Sequence, residues 1–243
     1  MHNVAIPDYV VKGAKARRGK LNPFDRIVGP ATALLVVDLQ NAFMLPGMVV
    51  EIPTAREIVP NVNRIAREIR AAKGKVVWLK MTLEDELDKW SVYFDYFTHP
   101  DHRTDELESL SRGNPGHELY SQLDVKAEDL IVEKTRFSAF IQGSSNLDQI
   151  LKNLGIDTVI VTGAVTNVCC EATARDAMML NYKTVFVSDA NAARNDEDHN
   201  ASLSSIFRIF GAVHSTEETV ALIANGQDAS EQDPRRIRAA ASI

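Results

Sequence analysis

The sequence predicts an α/β fold, a three-layer α/β/α sandwich built around a mostly parallel, doubly wound, six-stranded sheet. Short apolar runs rich in Val and Ile recur along the chain, and they are nearly continuous rather than alternating, which is typical of strands buried on both faces of a parallel sheet. Helical patterns separate these runs. Strand and helix in alternation indicate right-handed βαβ crossovers and hence a doubly wound sheet.

The strands follow from the apolar runs in chain order. Five runs are clear, and a shorter one near the end supplies the sixth strand. The predicted strands are "ATALLVVDL" (31–39), "KVVWLK" (75–80), "DLIVEK" (129–134), "DTVIVTG" (157–163), "KTVFVSDA" (183–190) and "GAVHS" (211–215).

The helices follow from apolar residues at helical spacing and from the glycines that end them. The segment 54–74 has apolar residues at positions 58, 62, 65, 66 and 69 and ends at Gly74. The segment "SNLDQILKNLG" ends in the same way at Gly155. Two further helices are predicted in "CCEATARDAMMLN" and "DEDHNASLSSIFRIFG".

The chain divides into one domain with two flanking segments. We expect an N-terminal extension over 1–28, a single large domain over 29–225, and a polar tail over 226–243 that is flexible or packs on another subunit. Within the domain, residues 81–128 are too long for a plain connection and are rich in aromatic and turn residues. They are predicted to cover a substrate, with a packed surface excursion as the alternative.

Composition limits the classes of function. The 243 residues carry a formal net charge of −6, whereas nucleic-acid-binding domains usually show a clustered basic excess. Eighteen consecutive apolar residues occur nowhere, and adjacent cysteines rarely form a disulfide with each other, which suits a reducing compartment. We therefore expect a cytoplasmic protein with a small-molecule partner, and neither nucleic acid nor membrane.

Three polar residues are predicted at the carboxyl ends of strands, where open parallel sheets bind ligands. Asp38 ends the first strand, Lys134 ends the third, and Cys169 follows the fourth across a short loop. Taken singly, these residues have ordinary alternatives: a turn cap, a solvated charge and a small buried hydrophobe. Together, an acid, a cation and a thiol form a nucleophilic constellation.

Each residue type has a place in amide hydrolysis. The thiolate is the nucleophile, and both Lys134 and the N-terminus of a helix are expected to favour the thiolate of Cys169 over the thiol. Asp38 can accept the thiol proton and later deliver it to a departing amine. These roles predict a thioester intermediate and the release of ammonia.

Helical phase distinguishes the two adjacent cysteines. With Thr166 or Asn167 as the N-cap, Cys170 shares an apolar stripe with Ala174, Ala177 and Met178, and this stripe points into the core. Cys169 lies on a different face and is the predicted reactive thiol. Because the amides of the first turn have no acceptor within the helix, the Cys169 N–H is free to stabilise an oxyanion.

The motifs "LLVVDLQNAF", "VEKTRFSAF" and "VIVTGAVTNVCCEATARDAMMLNYKTVFVSDANAA" resemble those of the isochorismatase-like cysteine hydrolases, over roughly residues 30–225. "TNVCCE" is most similar to the ureidoacrylate and N-carbamoyl amidohydrolase branch. The resemblance implies catalytic roles for Asp38, Lys134 and Cys169. It also implies a cis peptide between Ala164 and Val165, with the Val165 N–H as a second oxyanion donor.

Two departures from the family pattern bear on function. Metal-binding nicotinamidases carry Asp-x-His after the second strand, where this chain reads "KVVWLKMTLEDE". A zinc-assisted reaction is therefore disfavoured, and no metal or organic cofactor is expected, although His99 and His102 form a weak H-x-x-H alternative. A second cysteine also stands where the family usually has an aliphatic residue, which changes packing more than mechanism.

The substrate contacts are predicted from the residues that follow the catalytic ones. Asn41 and Phe43 follow Asp38, and Arg136, Phe137 and Ser138 follow Lys134. An aromatic wall with a guanidinium suits a small, planar, anionic amide. The alternatives are core packing for the two phenylalanines and a structural ion pair for Arg136.

The resulting hypothesis is a cysteine amidohydrolase that releases ammonia from a small ureido or N-carbamoyl compound. A nicotinamidase-like or maleamate-type amidase is one alternative. A non-catalytic binding module that kept the fold is another. The resemblance also implies a homodimer or homotetramer, in which a neighbouring subunit completes the pocket over 81–103.

Overall fold

The computed structural model describes residues 1–230, with side chains through residue 226. In this part of the chain a six-stranded parallel sheet forms the centre of the molecule, in the order β3-β2-β1-β4-β5-β6. The strands are β1 (Thr32–Val37), β2 (Lys75–Met81), β3 (Leu130–Lys134), β4 (Thr158–Ala164), β5 (Lys183–Ala192) and β6 (Ala212–His214). The predicted α/β fold and its six parallel strands are confirmed.

The helices lie around the sheet, as the alternating pattern predicts. They are α1 (Asp8–Arg18), α2 (Asn41–Met44), α3 (Val59–Ala71), α4 (Glu86–Lys89), α5 (Ser91–Tyr96), α6 (Arg103–Ser109), α7 (Leu147–Asn153), α8 (Glu171–Met179), α9 (Asp196–Ser205) and α10 (Thr216–Ser230). Two turns, Thr166–Cys170 and Ile206–Phe210, are π-helical. No helix in the described residues is long and apolar enough to cross a membrane.

The core is continuous from the sheet to its helices. Every residue of β1 and β4 is buried, in agreement with their apolar sequences. The five apolar positions that predict α3 are also buried: Ile58, Val62, Ile65, Ala66 and Ile69. The edge strand β3 differs from the expectation of burial on both faces, because Ile131 is 56% exposed there. An edge strand is covered by neighbours less completely than a central one.

Both flanking segments contain helix within the residues that the structure describes. Helix α1 packs Val10 and Ala14 against Phe207 of the second π-helical turn. His2 donates a hydrogen bond from Nδ1 to Asp196 at the start of α9. Helix α10 continues through Ser230, so that the first residues of the predicted tail over 226–243 are helical. Residues 231–243 of that tail lie outside the described residues.

Sheet topology determines where a ligand can bind. The chain moves outward from β1 to β2 and β3, and then returns to the other side of β1 with β4. The crevice at the carboxyl ends of β1 and β4 lies at this reversal of strand order, where doubly wound sheets bind ligands. Gly163 of β4 allows the two strands to approach, since a Cβ there would lie 2.2 Å from the carbonyl oxygen of Val37.

Candidate active site

The three residues predicted at strand ends meet at this crevice. Lys134 Nζ lies 2.8 Å from Asp38 Oδ2, and both side chains are completely buried. The Cys169 thiol is buried beside this pair and interacts electrostatically with both partners. The parallel sheet therefore brings together an acid, a cation and a thiol from three separate segments, of which Asp38 and Lys134 are 96 positions apart and Lys134 and Cys169 are 35 positions apart.

The backbone fixes the positions of the acid and the cation. Asp38 leaves β1 with a left-handed φ of 52°, which aspartate tolerates better than most residues, and its N–H donates to Leu79 O at 3.0 Å. Lys134 Nζ also donates to Arg136 O at 3.1 Å. These bonds hold the two charges in a defined geometry before any substrate arrives.

Burial dominates the protonation of the site. Burial raises the pKa of the Asp38 carboxyl, while Lys134 opposes this effect. Burial alone would lower the pKa of Lys134, but attraction to Asp38 and to the thiol outweighs it and raises that pKa. Burial also raises the pKa of the Cys169 thiol, against the opposing effect of Lys134. Lys134 therefore does favour the thiolate of Cys169, but desolvation is the larger effect and the pKa of the thiol stays raised.

The two cysteines differ in their surroundings. Cys169 lines the cavity described below, whereas Cys170 has no exposed surface and packs in the core. Both lie in the π-helical turn Thr166–Cys170, whose N-cap is Val165 and which continues directly into α8. The expected N-cap at Thr166 or Asn167 is thus displaced by one or two residues.

The segment before the cysteines is fixed by a buried histidine. The Ala164–Val165 peptide bond is cis. Thr166 Oγ1 donates to His199 Nδ1 at 3.0 Å, and His199 Nε2 donates to Ser188 O at 2.9 Å. Burial lowers the pKa of His199 to about 4, so that the ring is neutral and this pattern of one donor and one acceptor is maintained at neutral pH. The backbone around Val165 is therefore held by β5 and α9.

A cavity of about 660 Å³ opens onto Cys169. Its volume falls within the range of about 300–1,000 Å³ that is usual for small-molecule sites. The predicted covering segment 81–128 supplies a large part of its wall, including the aromatic side chains of α5 and the turn before it. The apolar lining residues are Phe43, Val50, Ile52, Met81, Leu83, Trp90, Val92, Tyr93, Phe97, Leu110, Phe137, Val165 and Val168.

The predicted aromatic wall lines the cavity, whereas the predicted substrate contact Asn41 does not. Phe43 and Phe137 both line the cavity. The side chain of Asn41 is not part of the lining and instead donates to Pro115 O at 2.9 Å. Asn41 therefore anchors the turn at Pro115–His117, which lies beside the end of β1.

The two polar residues on either side of Phe137, Arg136 and Ser138, also have structural partners. Arg136 donates to Thr135 O at 2.6 Å and to Lys89 O at 2.9 Å, and its guanidinium does not line the cavity. Ser138 Oγ accepts the N–H of Phe140 at 3.1 Å. The structure thus gives the substrate no guanidinium from Arg136, because backbone carbonyls of neighbouring segments already occupy it.

Two contributions to the site were missed in the sequence. Gln40 is buried and joins the ends of β1 and β2, since its amide donates to Met81 O and accepts the Met81 N–H. Glu106 is buried in the cavity wall and accepts a hydrogen bond of 2.7 Å from the Tyr93 hydroxyl. Gln40 could have been found as a polar residue between buried ones after the first strand, but Glu106 is one of many acidic residues in its segment.

Among the described residues, the H-x-x-H alternative has no third ligand. The rings of His99 and His102 lie 5.5 Å apart between centroids, and both residues are exposed. Within residues 1–230, no group of three or more His, Cys, Asp or Glu side chains is arranged to hold a metal ion.

Comparison with known proteins adds an independent line of evidence. The model of the isochorismatase domain matches residues 32–218. A ureidoacrylate amidohydrolase of Acinetobacter baylyi is 29% identical over 233 residues, covering 90% of this chain and 94% of that protein. A protein of Arabidopsis thaliana described as a probable inactive nicotinamidase is 34% identical over 174 residues, covering 71% of this chain and 86% of its own length.

A solved structure agrees with the fold. The crystal structure of a cysteine hydrolase from Pseudomonas syringae pv. phaseolicola superposes with a TM-score of 0.74 at 31% sequence identity. The match covers 85% of this chain and all of that one.

Proposed function

Because the chain belongs to the isochorismatase family, we propose that it is a cysteine amidohydrolase that cleaves the C–N bond of a small ureido or N-carbamoyl compound and releases ammonia. The observation that carries the proposal is the buried Asp38–Lys134 pair in contact with Cys169 at the wall of a cavity. The similarity to a ureidoacrylate amidohydrolase supports a ureido group as the part of the substrate that is cleaved.

The first half-reaction forms a thioester. Because the resting thiol is protonated, Asp38 takes its proton as the Cys169 sulfur attacks the carbonyl carbon. Lys134 stays protonated and balances the charge that moves between Asp38 and sulfur. The backbone N–H groups of Val165 and Cys169, two residues that line the cavity, stabilise the oxyanion. Asp38 then gives the proton to the nitrogen, the C–N bond breaks, and ammonia leaves.

The second half-reaction restores the enzyme. Water adds to the thioester carbonyl while Asp38 takes one of its protons. The S–C bond breaks, the proton returns to the Cys169 sulfur, and the acid is released. The sum is hydrolysis of one C–N bond by one water, with no oxidant or reductant required.

The adjacent cysteines provide a matched pair of variants for the test. We expect Cys169→Ala to lose ammonia release and Cys170→Ala to retain it, in a screen of ureides, carbamoyl amino acids, nicotinamide and maleamate. Mass spectrometry of the quenched wild-type enzyme should detect an acyl group on the peptide that contains both thiols, and in Cys170→Ala it should remain. Turnover that survives Cys169→Ala and is lost in Cys170→Ala would contradict the assignment.

A non-catalytic binding module is the second candidate. The raised pKa of the Cys169 thiol favours it, since a neutral thiol is a poor nucleophile until a base removes its proton. The contact with Asp38 argues for catalysis, because that carboxylate is a base in the right place. If the protein is a binding module, the wild-type protein and Cys169→Ala should bind ligands equally well. Neither should release ammonia from any of them.

A further inference from the structure

Three aromatic side chains form a continuous part of the cavity wall. Trp90 stacks on Tyr93 with ring centroids 4.6 Å apart, and the edge of Phe137 contacts both rings, at 4.7 Å and 5.3 Å. All three are only partly buried by the protein and line the cavity. An apolar ring of the substrate would cover surface that these side chains now leave open, which is favourable because apolar surface is removed from water.

The cations near the cavity are already engaged or exposed. Lys134 is held by Asp38 and by Arg136 O, and Arg136 is held by backbone carbonyls. Among the described residues that line the cavity, the cationic side chain is Arg194, which is exposed and donates to Glu51 O at 3.3 Å. A buried substrate carboxylate would therefore have no unpaired desolvated cation as its partner.

The acidic groups of the lining act in the same direction. Glu106 is buried in the wall with Tyr93 as its partner, and Asp198 lies at a more exposed part of the lining. A substrate carboxylate would lose its hydration beside these acidic groups in an apolar surrounding, which is costly without a paired cation. An uncharged apolar group meets neither penalty.

We infer, on the basis of the proposed function, that the substrate is an uncharged primary amide or monosubstituted urea whose substituent is apolar and the size of an aromatic ring. The amide head lies at Cys169, and the ring packs against Trp90, Tyr93 and Phe137. A cavity of about 660 Å³ has room for both parts, whereas the head alone would leave most of its volume unfilled. This substrate class is narrower than ureido compounds in general, because it leaves out the ureido acids.

Two matched pairs of compounds test the inference. Benzylurea and N-carbamoylglycine differ by a phenyl ring in place of a carboxylate, and so do 3-phenylpropanamide and succinamate. We expect kcat/KM for ammonia release to be at least about tenfold higher for the phenyl member of each pair. A carboxylate member hydrolysed as well as its phenyl partner, in a reaction that Cys169→Ala abolishes, would overturn the inference and leave the proposed function intact. Ammonia release from none of the four compounds would overturn the inference, while the wider screen above would still decide the proposed function.

Variants of the wall provide a second test. Trp90→Ala should lower kcat/KM for benzylurea by about tenfold and change that for N-carbamoylglycine much less, because only the ring loses its contact. Tyr96→Ala is the matched control, since Tyr96 lies in the neighbouring helix α5, is 79% exposed and does not line the cavity. Val92 lines the cavity and is 62% exposed, so we expect the protein to tolerate Val92→Lys. This variant should narrow the preference for benzylurea over N-carbamoylglycine by giving the carboxylate a cation. An unchanged ratio of the two substrates in both Trp90→Ala and Val92→Lys would overturn the inference.

Discussion

Removal of Lys134 should destabilise the protein through the charge that it leaves behind. In Lys134→Met, the carboxylate of Asp38 stays fully buried without a cation, and its pKa, already raised by burial, rises further until it binds a proton. Protonation of a carboxylate from an ordinary pKa near 3.8 at pH 7 costs about 4 kcal/mol. This figure agrees with the about 3–5 kcal/mol that is typical when one partner of a buried ion pair is removed.

The sign of the pH dependence follows from proton binding. In Lys134→Met the folded state holds a proton on Asp38 that the unfolded state has released, so its stability falls as the pH rises above the unfolded pKa. The loss of unfolding free energy in Lys134→Met, relative to wild type, should shrink by about 1.4 kcal/mol for each unit by which the pH is lowered from 7 to 5. Asp38→Asn in the same chain removes the charge altogether, and the double variant should be more stable than Lys134→Met at pH 7.

Urea unfolding at pH 5, 6 and 7 measures these free energies. Lys152→Met is the control, because Lys152 forms an exposed ion pair with Asp148 in α7 that should contribute no more than about 0.5 kcal/mol. Two results together would refute the idea that an uncompensated buried charge destabilises Lys134→Met. The stability loss of Lys134→Met would not depend on pH, and the losses of the two single variants would add in the double variant.

Two further predictions concern residues around the site. The pKa of His199 is about 4 in the folded state, below its unfolded value of 6.5. Its contribution to the free energy of unfolding is therefore present above pH 6.5 and is lost as the pH falls. Between pH 7 and pH 5, thermal unfolding should show that wild type loses about 2 kcal/mol more stability than His199→Gln. Gly163→Ala should lose about 2–4 kcal/mol in urea unfolding, because its Cβ would meet Val37 O at a φ of 119°. Gly143→Ala, also at positive φ but with nothing within 4 Å, should cost only about 1 kcal/mol, and equal losses for the two would argue against the clash.

The sequence predicts most of the fold because the relevant signals are local. The apolar runs of β1 and β4 identify central strands, and a parallel sheet then places the ends of distant strands at one edge. For this reason Asp38, Lys134 and Cys169 can be grouped before any distance is known. Helical phase likewise separates Cys169 from Cys170, even though the turn that holds them is π-helical rather than α-helical.

The remainder depends on contacts between segments that are far apart in the sequence. Arg136 looks available for a substrate carboxylate until Lys89, 47 positions away, supplies its acceptor. The pKa of Cys169 depends on how completely it is buried, which the local sequence does not encode. Glu106 gains its place in the cavity only because α6 lies beside α5, where Tyr93 can donate to it.

These contacts give the site a consistent electrostatic character. At rest, the Asp38–Lys134 pair is neutral as a unit and the Cys169 thiol is uncharged, so a fully desolvated centre carries no net charge. Attack on a neutral carbonyl moves a proton among these groups without changing that total. A substrate with its own charge would add an uncompensated ion to the same low-dielectric space, where such an ion is costly. Exclusion of water from the site therefore has two effects. It raises the pKa of the Cys169 thiol, and it favours an uncharged substrate at the apolar wall.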